Sequence, residues 1–296
     1  MNKIILTLIM SFWITTGFAS EIKVMTWNIW HGGTHGDKAS GYAQDEANAD
    51  NVLKVIEQND PDVIFMQETY CCGMDVAKAA GYPYSVRGST NLSIHSKYPI
   101  VETIELFQEF NSHAVVIDVD GQKFLGINVW LNYLPDYFPV YDTLSPQQLR
   151  DDEKETRLAE ITTILKEVDA LKQAHKMPII IGGDFNSSSH LDWTEDTKEA
   201  HFGKVVKWTI SQKMIDQGYV DSFRNINPDP TTTLQGTWGY LEDGLENAVL
   251  SDRIDYLYYK GDGIKPLKSK IVMDDPVGGF FNSDHRAILT EFKLAN

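Results

Sequence analysis

The chain has 296 residues and a formal net charge of −16, from 26 basic and 42 acidic side chains. Indiscriminate attachment to a phosphate backbone needs a basic surface, so this balance argues against a nonspecific or processive DNA binder, while a local patch or a bound cation still permits nuclease chemistry. The only cysteines, Cys71 and Cys72, are neighbours. They exclude a disulfide scaffold and a Cys/His zinc site, and because a bridge between adjacent residues departs from ordinary disulfide geometry, two free thiols are expected.

The first twenty residues stand apart. Lys3 precedes the apolar run 4–10, apolar character continues to Ile14, and the small residues Gly17 and Ala19 follow. A positive start, a short apolar core and an A-x-A-like site predict a signal peptide over 1–20, cleaved after Ala19 or Ser20. That core is too short for a comfortable membrane span. The expected product is a secreted or periplasmic protein with no transmembrane segment. Residues 21–296 then form one domain of about 275 residues, without linker, repeat or low-complexity tract.

In chain order, residues 22–27 read as a first strand. Residues 45–59 read as a helix with Val52, Val55 and Ile56 on one face and Pro61 beyond its end. Residues 63–66 are a second apolar strand, followed by Gln67-Glu68. Short strands are expected at 92–95 and 100–106. Residues 114–119 and 123–130 flank Asp120-Gly121-Gln122, a hairpin signal. Leu158, Ile161, Leu165, Val168 and Leu171 recur at helical spacing, predicting a long helix over 152–174. It feeds the apolar run 179–181, which Gly182-Gly183 closes before Asp184-Phe185-Asn186. Residues 208–217 read as a helix with Gly218 at its C-terminal cap. Strands follow at 254–259, 268–273 and 287–292. Hairpins mixed with helices imply mixed sheets covered by helices, not a simple β-α alternation.

Polar residues punctuate the strand ends. Asn28 follows the first strand, Glu68 the second, and Asp184 with Asn186 the 179–181 run. Asp255 lies in the apolar 254–259 strand, and Ser283-Asp284-His285 precedes the last one. Each alone reads equally well as a turn former, a surface acid or a structural partner. Together they contain the parts of one reaction. Phosphoester hydrolysis needs carboxylates for a hard cation, an oriented water, and charge relief on phosphorus from a histidinium held by an acid. Glu68, Asp184 with Asn186, His285 and Asp255 fit those needs.

The ordered series Thr26-Trp27-Asn28, Gln67-Glu68, Gly183-Asp184-Phe185-Asn186, Arg253-Ile254-Asp255-Tyr256 and Ser283-Asp284-His285 resembles the endonuclease/exonuclease/phosphatase superfamily, the deoxyribonuclease-I-like phosphoesterases. Residues 93–100 resemble the segment before that family's central hairpin, and Arg157-Leu158-Ala159-Glu160-Ile161 the start of its long helix. The resemblance spans about 22–292. It implies a four-layer α/β sandwich, two mixed β-sheets packed face to face with helices outside. It implies Glu68 as principal metal ligand, with Asn28 and Asp284 close to the metal or phosphate. Asp184 would orient or deprotonate water, Asn186 would position it, and His285 backed by Asp255 would stabilise the pentacovalent phosphorus. Mg²⁺ is the implied ion, with Mn²⁺ or Ca²⁺ also suited to oxygen ligands.

One position departs from the family pattern. Trp130 stands where many members carry a second histidine, and an indole cannot accept a proton. Trp130, Asn132 and Tyr133 either line a substrate pocket, the indole stacking on a ring or cation, or Trp130 packs in the core. His31-Gly32-Gly33-Thr34-His35 and Thr237-Trp238-Gly239 are candidates for the rim. The expected protein is an exported monomeric phosphodiesterase or phosphatase acting on a lipid headgroup or nucleotide rather than duplex DNA. An extracellular nuclease, or a catalytically weak binding protein on the same fold, is the alternative.

Overall fold

The computed structural model describes residues 19–33, 46–137, 140–238, 251–272 and 283–295. The expected signal peptide lies outside them except for its last two residues. No helix among the described residues is long and apolar enough to cross a membrane.

The strands are β1 (Ser20–Asn28), β2 (Val63–Gln67), β3 (Tyr84–Arg87), β4 (Ser93–Ser96), β5 (Ile100–Glu105) and β6 (Ser112–Val119). They continue as β7 (Gln122–Trp130), β8 (Ile179–Asp184), β9 (Val220–Asp221), β10 (Asp255–Lys260), β11 (Ile264–Ile271) and β12 (Ile288–Leu294). The helices are α1 (Trp30–Gly33, one turn), α2 (Glu46–Asn59), α3 (Gly73–Ala79), α4 (Pro146–Asp152), α5 (Arg157–Ala170), α6 (Thr209–Asp216) and α7 (Ser222–Ile226). One six-stranded sheet has the order β11-β12-β1-β2-β4-β3 and the other β5-β6-β7-β8-β10-β9. Each contains one parallel pair, β1 with β2 and β7 with β8, among antiparallel ones. Both sheets are therefore mixed, with helical crossovers joining the parallel strands.

Strand alternation explains the layers. On β2, Val63 and Phe65 face the second sheet, while Ile64 and Met66 pack with Val52, Val55 and Ile56 of α2. On β8, Ile180 enters the layer between the sheets, while Ile179 and Ile181 join Ile161, Leu165 and Val168 of α5. A strand with two apolar faces must be covered twice, and here it is, by a sheet and by a helix. The result is the expected four-layer α/β sandwich. Asn128 pins the sheets together near one pole: it accepts from Gln67 Nε2 at 2.7 Å and donates to the carbonyls of Met66 and Ser93 at 2.8 and 3.0 Å.

Two local expectations need correction. The helix expected over 152–174 spans only 157–170, as α5, and turns at 153–156 join it to a separate preceding helix, α4. Glu153, between them, is buried and accepts from Ser187 and Thr209, and Leu171 has extended backbone. The apolar residues at helical spacing, Leu158 to Leu171, all lie beyond the break at 153–156, within α5 and at its C-cap. The start of α4 carries a capping box between Ser145 and Gln148 with Pro146 at its first turn, a readable signal. Lastly, β8 does not stop at Gly182-Gly183 but runs on to Asp184. A side chain at Gly182 would strike the Phe65 ring, and one at Gly183 the Val129 carbonyl. These glycines serve close approach inside the sandwich, not chain reversal. The β6–β7 hairpin does turn at Asp120 and Gly121, both at positive φ.

Candidate active site

The C-terminal ends of β1, β2, β7 and β8 lie at one pole. Asn28 is paired with Gln67, and Asp184 is paired with both Trp130 and Asp255. A cavity of about 330 Å³ opens there, lined by Glu68, Asp184, Asn186, Asp284 and His285 together with His31, Tyr70, Trp130, Tyr133, Asp136, Arg157, Trp238 and Ile254.

Asn28 is the hub beneath this cavity. It is fully buried, and its oxygen accepts from the Trp30 amide at 3.0 Å. Its Nδ2 donates to Glu68 Oε1 and Asp184 Oδ2, both at 3.1 Å, and lies 3.3 Å from His285 Nε2. Asp184 Oδ1 accepts the Asn186 amide at 2.9 Å, and Asn186 Nδ2 donates to the Leu131 carbonyl at 2.8 Å. The acid that ends β8 and the amide that follows it thus hold each other and the residue after β7.

His285 donates from Nδ1 to Asp255 Oδ2 at 2.8 Å. Its Nε2 faces Asp184 at 3.8 Å and Asp284 at 3.9 Å. Its backbone is fixed from both sides: the carbonyl accepts from Trp27 Nε1 at 2.9 Å, and the amide donates to Ser283 Oγ at 3.0 Å. Asp255 is held by the Thr237 hydroxyl, which accepts the Ile254 and Asp255 amides at 3.1 Å each. Burial alone would strip the His285 proton, but Asp255, Asp284 and Asp184 outweigh it and hold the imidazole well above its ordinary value. Burial pushes Asp184 upward, opposed by His285. Burial likewise pushes Asp284 up to about 6, with His285 opposing and Glu68 adding to the rise.

The ligand atoms of Asp184, Asp255 and His285 lie within 4.8 Å of one another. Two of those groups, His285 and Asp255, already share a hydrogen bond. Glu68 and Asp284 are both partly exposed to the cavity. Two carboxylates that open on one cavity are donors suited to a hard divalent cation. The residues present fit such an ion.

The other candidates divide. Trp130 is not sealed in the core. It forms the cavity wall, with Phe110 edge-on at 5.7 Å and Tyr133 at 6.2 Å. Asn132 does not line the cavity, because its side-chain oxygen accepts the Leu134 amide at 2.9 Å in a local turn. Of the 31–35 stretch, the described part packs on Glu68: the His31 amide donates to Oε2 at 3.3 Å and the Gly32 amide to the backbone oxygen at 2.6 Å. Thr34, His35 and Gly239 lie outside the described residues. Trp238 reaches Asp284 Oδ2 through Nε1 at 3.3 Å. The expectation of free thiols is overturned, since Cys71 and Cys72 form a disulfide. They follow a turn with Glu68 and Tyr70 at positive φ, where the Cys72 and Gly73 amides both fold back to the Thr69 carbonyl. That fold brings the neighbouring sulfurs together, which residue type alone does not announce. Arg157 is the supporting residue that sequence reasoning did not place in the site, while Thr237, expected at the rim, holds the Asp255 backbone. A motif match to the helix start was the only hint of Arg157.

Residues 25–285 match the model of the Endonuclease/Exonuclease/phosphatase family. An uncharacterized protein of Caenorhabditis elegans is 27% identical over 278 residues, covering 87% of this chain and 84% of that one. A DNA-(apurinic or apyrimidinic site) endonuclease of Dictyostelium discoideum is 24% identical over 251 residues, covering 80% of this chain and 62% of its own length. The crystal structure of an endonuclease/exonuclease/phosphatase from Beutenbergia cavernae shares the fold, with a TM-score of 0.62 at 16% identity, covering 93% of this chain and 72% of that one.

Proposed function

Because the chain belongs to the endonuclease/exonuclease/phosphatase family, we propose that it is an exported phosphodiesterase or phosphatase that uses Mg²⁺ to hydrolyse a small phosphoester. It is a metal-dependent hydrolase of phosphoester bonds, and the finer reading concerns ion, substrate and compartment. The observation that carries it is the Asn28 hub, which joins Glu68, Asp184 and the Asp255-backed His285 at one cavity.

A cation held by Glu68, with Asn28 and Asp284 beside it, supplies charge neutralisation on the phosphate oxygens when bound. The chain's own residues do the rest. Asp184, buried and therefore more basic than an ordinary carboxylate, orients the attacking water and takes its proton. Asn186 holds Asp184 and the water's approach. His285, kept protonated by Asp255, places a positive N–H against the oxygens on which charge develops. Water attacks phosphorus in line and the leaving group departs on the far side, with no covalent enzyme intermediate.

Trp130 and Tyr133 on the cavity wall support a substrate with a ring or a headgroup cation beside its phosphate, and the net charge of −16 argues against long duplex DNA. The leader-like residues 1–20 support export, and Mg²⁺ suits the oxygen ligands. A panel of nucleotides, lipid headgroup phosphodiesters and aryl phosphates, assayed with Mg²⁺ and with EDTA, tests this reading. Turnover of one small class, abolished by EDTA and restored by Mg²⁺, is expected. Turnover indifferent to EDTA contradicts it. The likeness to the Dictyostelium endonuclease favours a second reading as a nuclease. Plasmid or oligonucleotide cleavage exceeding small-substrate turnover would establish that one.

A further inference from the structure

Arg157, the first residue of α5, is only 2% exposed, yet no carboxylate pairs with it among its hydrogen bonds. Its donors go to four backbone carbonyls and one tyrosine hydroxyl instead. Nε donates to the Asn186 carbonyl at 2.6 Å. One terminal nitrogen donates to the Tyr133 and Pro135 carbonyls, both at 2.8 Å. The other donates to Tyr137 Oη at 2.9 Å and the Leu134 carbonyl at 3.3 Å, while the guanidinium lies 4.3 Å from the centre of the Tyr137 ring. The acceptors belong to two separate segments. One is the turn after β8 that carries Asn186, and the other is the segment after β7 that carries Tyr133 at the cavity rim.

The same segment is held along its length. The Leu131 amide donates to the Asp184 carbonyl at 2.9 Å, and the Leu131 carbonyl accepts from Asn186 Nδ2 at 2.8 Å. One turn into α5, Glu160 accepts the Asn132 amide at 2.8 Å. The rim after β7 and the turn after β8 are thus tied to each other and to the first turn of one helix. A planar fork of five N–H groups can face two segments at once; an ammonium on a flexible stem cannot reproduce that fan. Burying a guanidinium without a carboxylate partner is costly unless its donors are all used, and here four carbonyls and the Tyr137 hydroxyl from the site's two walls use them.

We propose that Arg157 is a positioning residue for the hydrolysis: it fixes Asn186 relative to Asp184 and fixes the rim that carries Tyr133 relative to Trp130. The inference rests on the phosphoesterase reading. It separates two effects. Displacement of Asn186 lowers kcat, and displacement of the rim raises KM for substrates with a ring.

The test compares wild type, Arg157→Lys and Tyr137→Phe on bis-p-nitrophenyl phosphate with Mg²⁺, with rates normalised to the folded fraction from thermal unfolding. Arg157→Lys is expected to lower kcat by roughly ten- to a hundredfold, the scale set by small misplacements of reacting groups, and to raise KM, with the Mg²⁺ dependence unchanged. Tyr137→Phe, which removes one acceptor and leaves the charge, should shift kcat and KM in the same directions by less, and it serves where the lysine variant does not fold. Wild-type kcat and KM per folded molecule in both variants would overturn the positioning role while leaving the phosphoesterase reading intact. Absence of turnover in the wild type would instead remove the reading and the inference together.

Discussion

Asp255→Asn is the sharpest single perturbation of the site. The side chain is fully buried and its Oδ2 accepts from His285 Nδ1 at 2.8 Å, so an amide oxygen can keep the contact while the charge disappears. Two unit charges 2.8 Å apart attract by about 6 kcal/mol at an effective dielectric of about 20. Losing only a third of that, about 2 kcal/mol, changes the histidinium population more than tenfold. Burial pulls His285 toward the neutral form, and Asp255 leads the groups that oppose it. The sign follows. A histidine whose folded-state proton affinity is raised contributes fully below its ordinary value near 6.5, and its contribution is lost as pH rises through the raised value. Wild-type activity should therefore persist on the alkaline side and fall only as the histidinium deprotonates. In Asp255→Asn that alkaline limb should move to lower pH, and kcat near pH 8 should drop by about ten- to a thousandfold, the range for removing a preorganised charge donor. The assay is kcat for bis-p-nitrophenyl phosphate from about pH 5 to 10 at saturating Mg²⁺. An unchanged limb and a rate within about threefold of wild type would refute the charged role of the His285–Asp255 pair.

The remaining predictions reach other parts of the molecule. Gly183→Ala should cost about 1–3 kcal/mol or more, because its Cβ would meet the Val129 carbonyl; an unchanged urea midpoint would show that the β7–β8 pair yields easily. Asn128→Ala should cost about 1–3 kcal/mol in the same measurement by removing three buried hydrogen bonds between the sheets, to Gln67 Nε2 and to the Met66 and Ser93 carbonyls. Trp130→Ala should raise KM for ring-bearing phosphoesters by roughly three- to tenfold while leaving the Mg²⁺ dependence alone; equal KM values would return Trp130 to a purely packing role. Iodoacetamide under denaturing, non-reducing conditions should modify neither Cys71 nor Cys72, and a mass gain of two adducts would contradict the bridge.

Much of the fold was legible because the sandwich is written in the apolar runs. The 63–66 and 179–181 runs have no polar face, and each became a strand covered by a sheet on one side and a helix on the other. Asp120-Gly121 announced its hairpin through the positive φ that such a turn demands. The polar residues at the strand ends could be named in advance, since parallel neighbours bring their C-terminal ends together. What stayed hidden depends on partners far away in sequence. The break before α5 comes from Glu153 reaching Ser187 and Thr209. The grip of Arg157 depends on where two loops meet. Asn132 turned to its own loop because Leu134 offered an amide two residues on. The Cys71–Cys72 bridge follows from backbone conformation at Glu68 and Tyr70, residue types that seldom adopt it. β3 and β9 are short sheet-edge strands, β3 largely exposed, with too little apolar pattern to be read.

Under the proposed function, Glu68 would bring a divalent cation to the cavity where Asp184 and His285 act on a phosphoester. The initial rate of bis-p-nitrophenyl phosphate hydrolysis against Mg²⁺ concentration, in EDTA-stripped wild type and Glu68→Gln, tests it most directly. The wild type should be inactive without metal and saturate as Mg²⁺ is added, while Glu68→Gln should need at least about tenfold more Mg²⁺, the scale for disturbing a metal site. Full activity of the stripped wild type, or the same Mg²⁺ curve for both proteins, would contradict the claim.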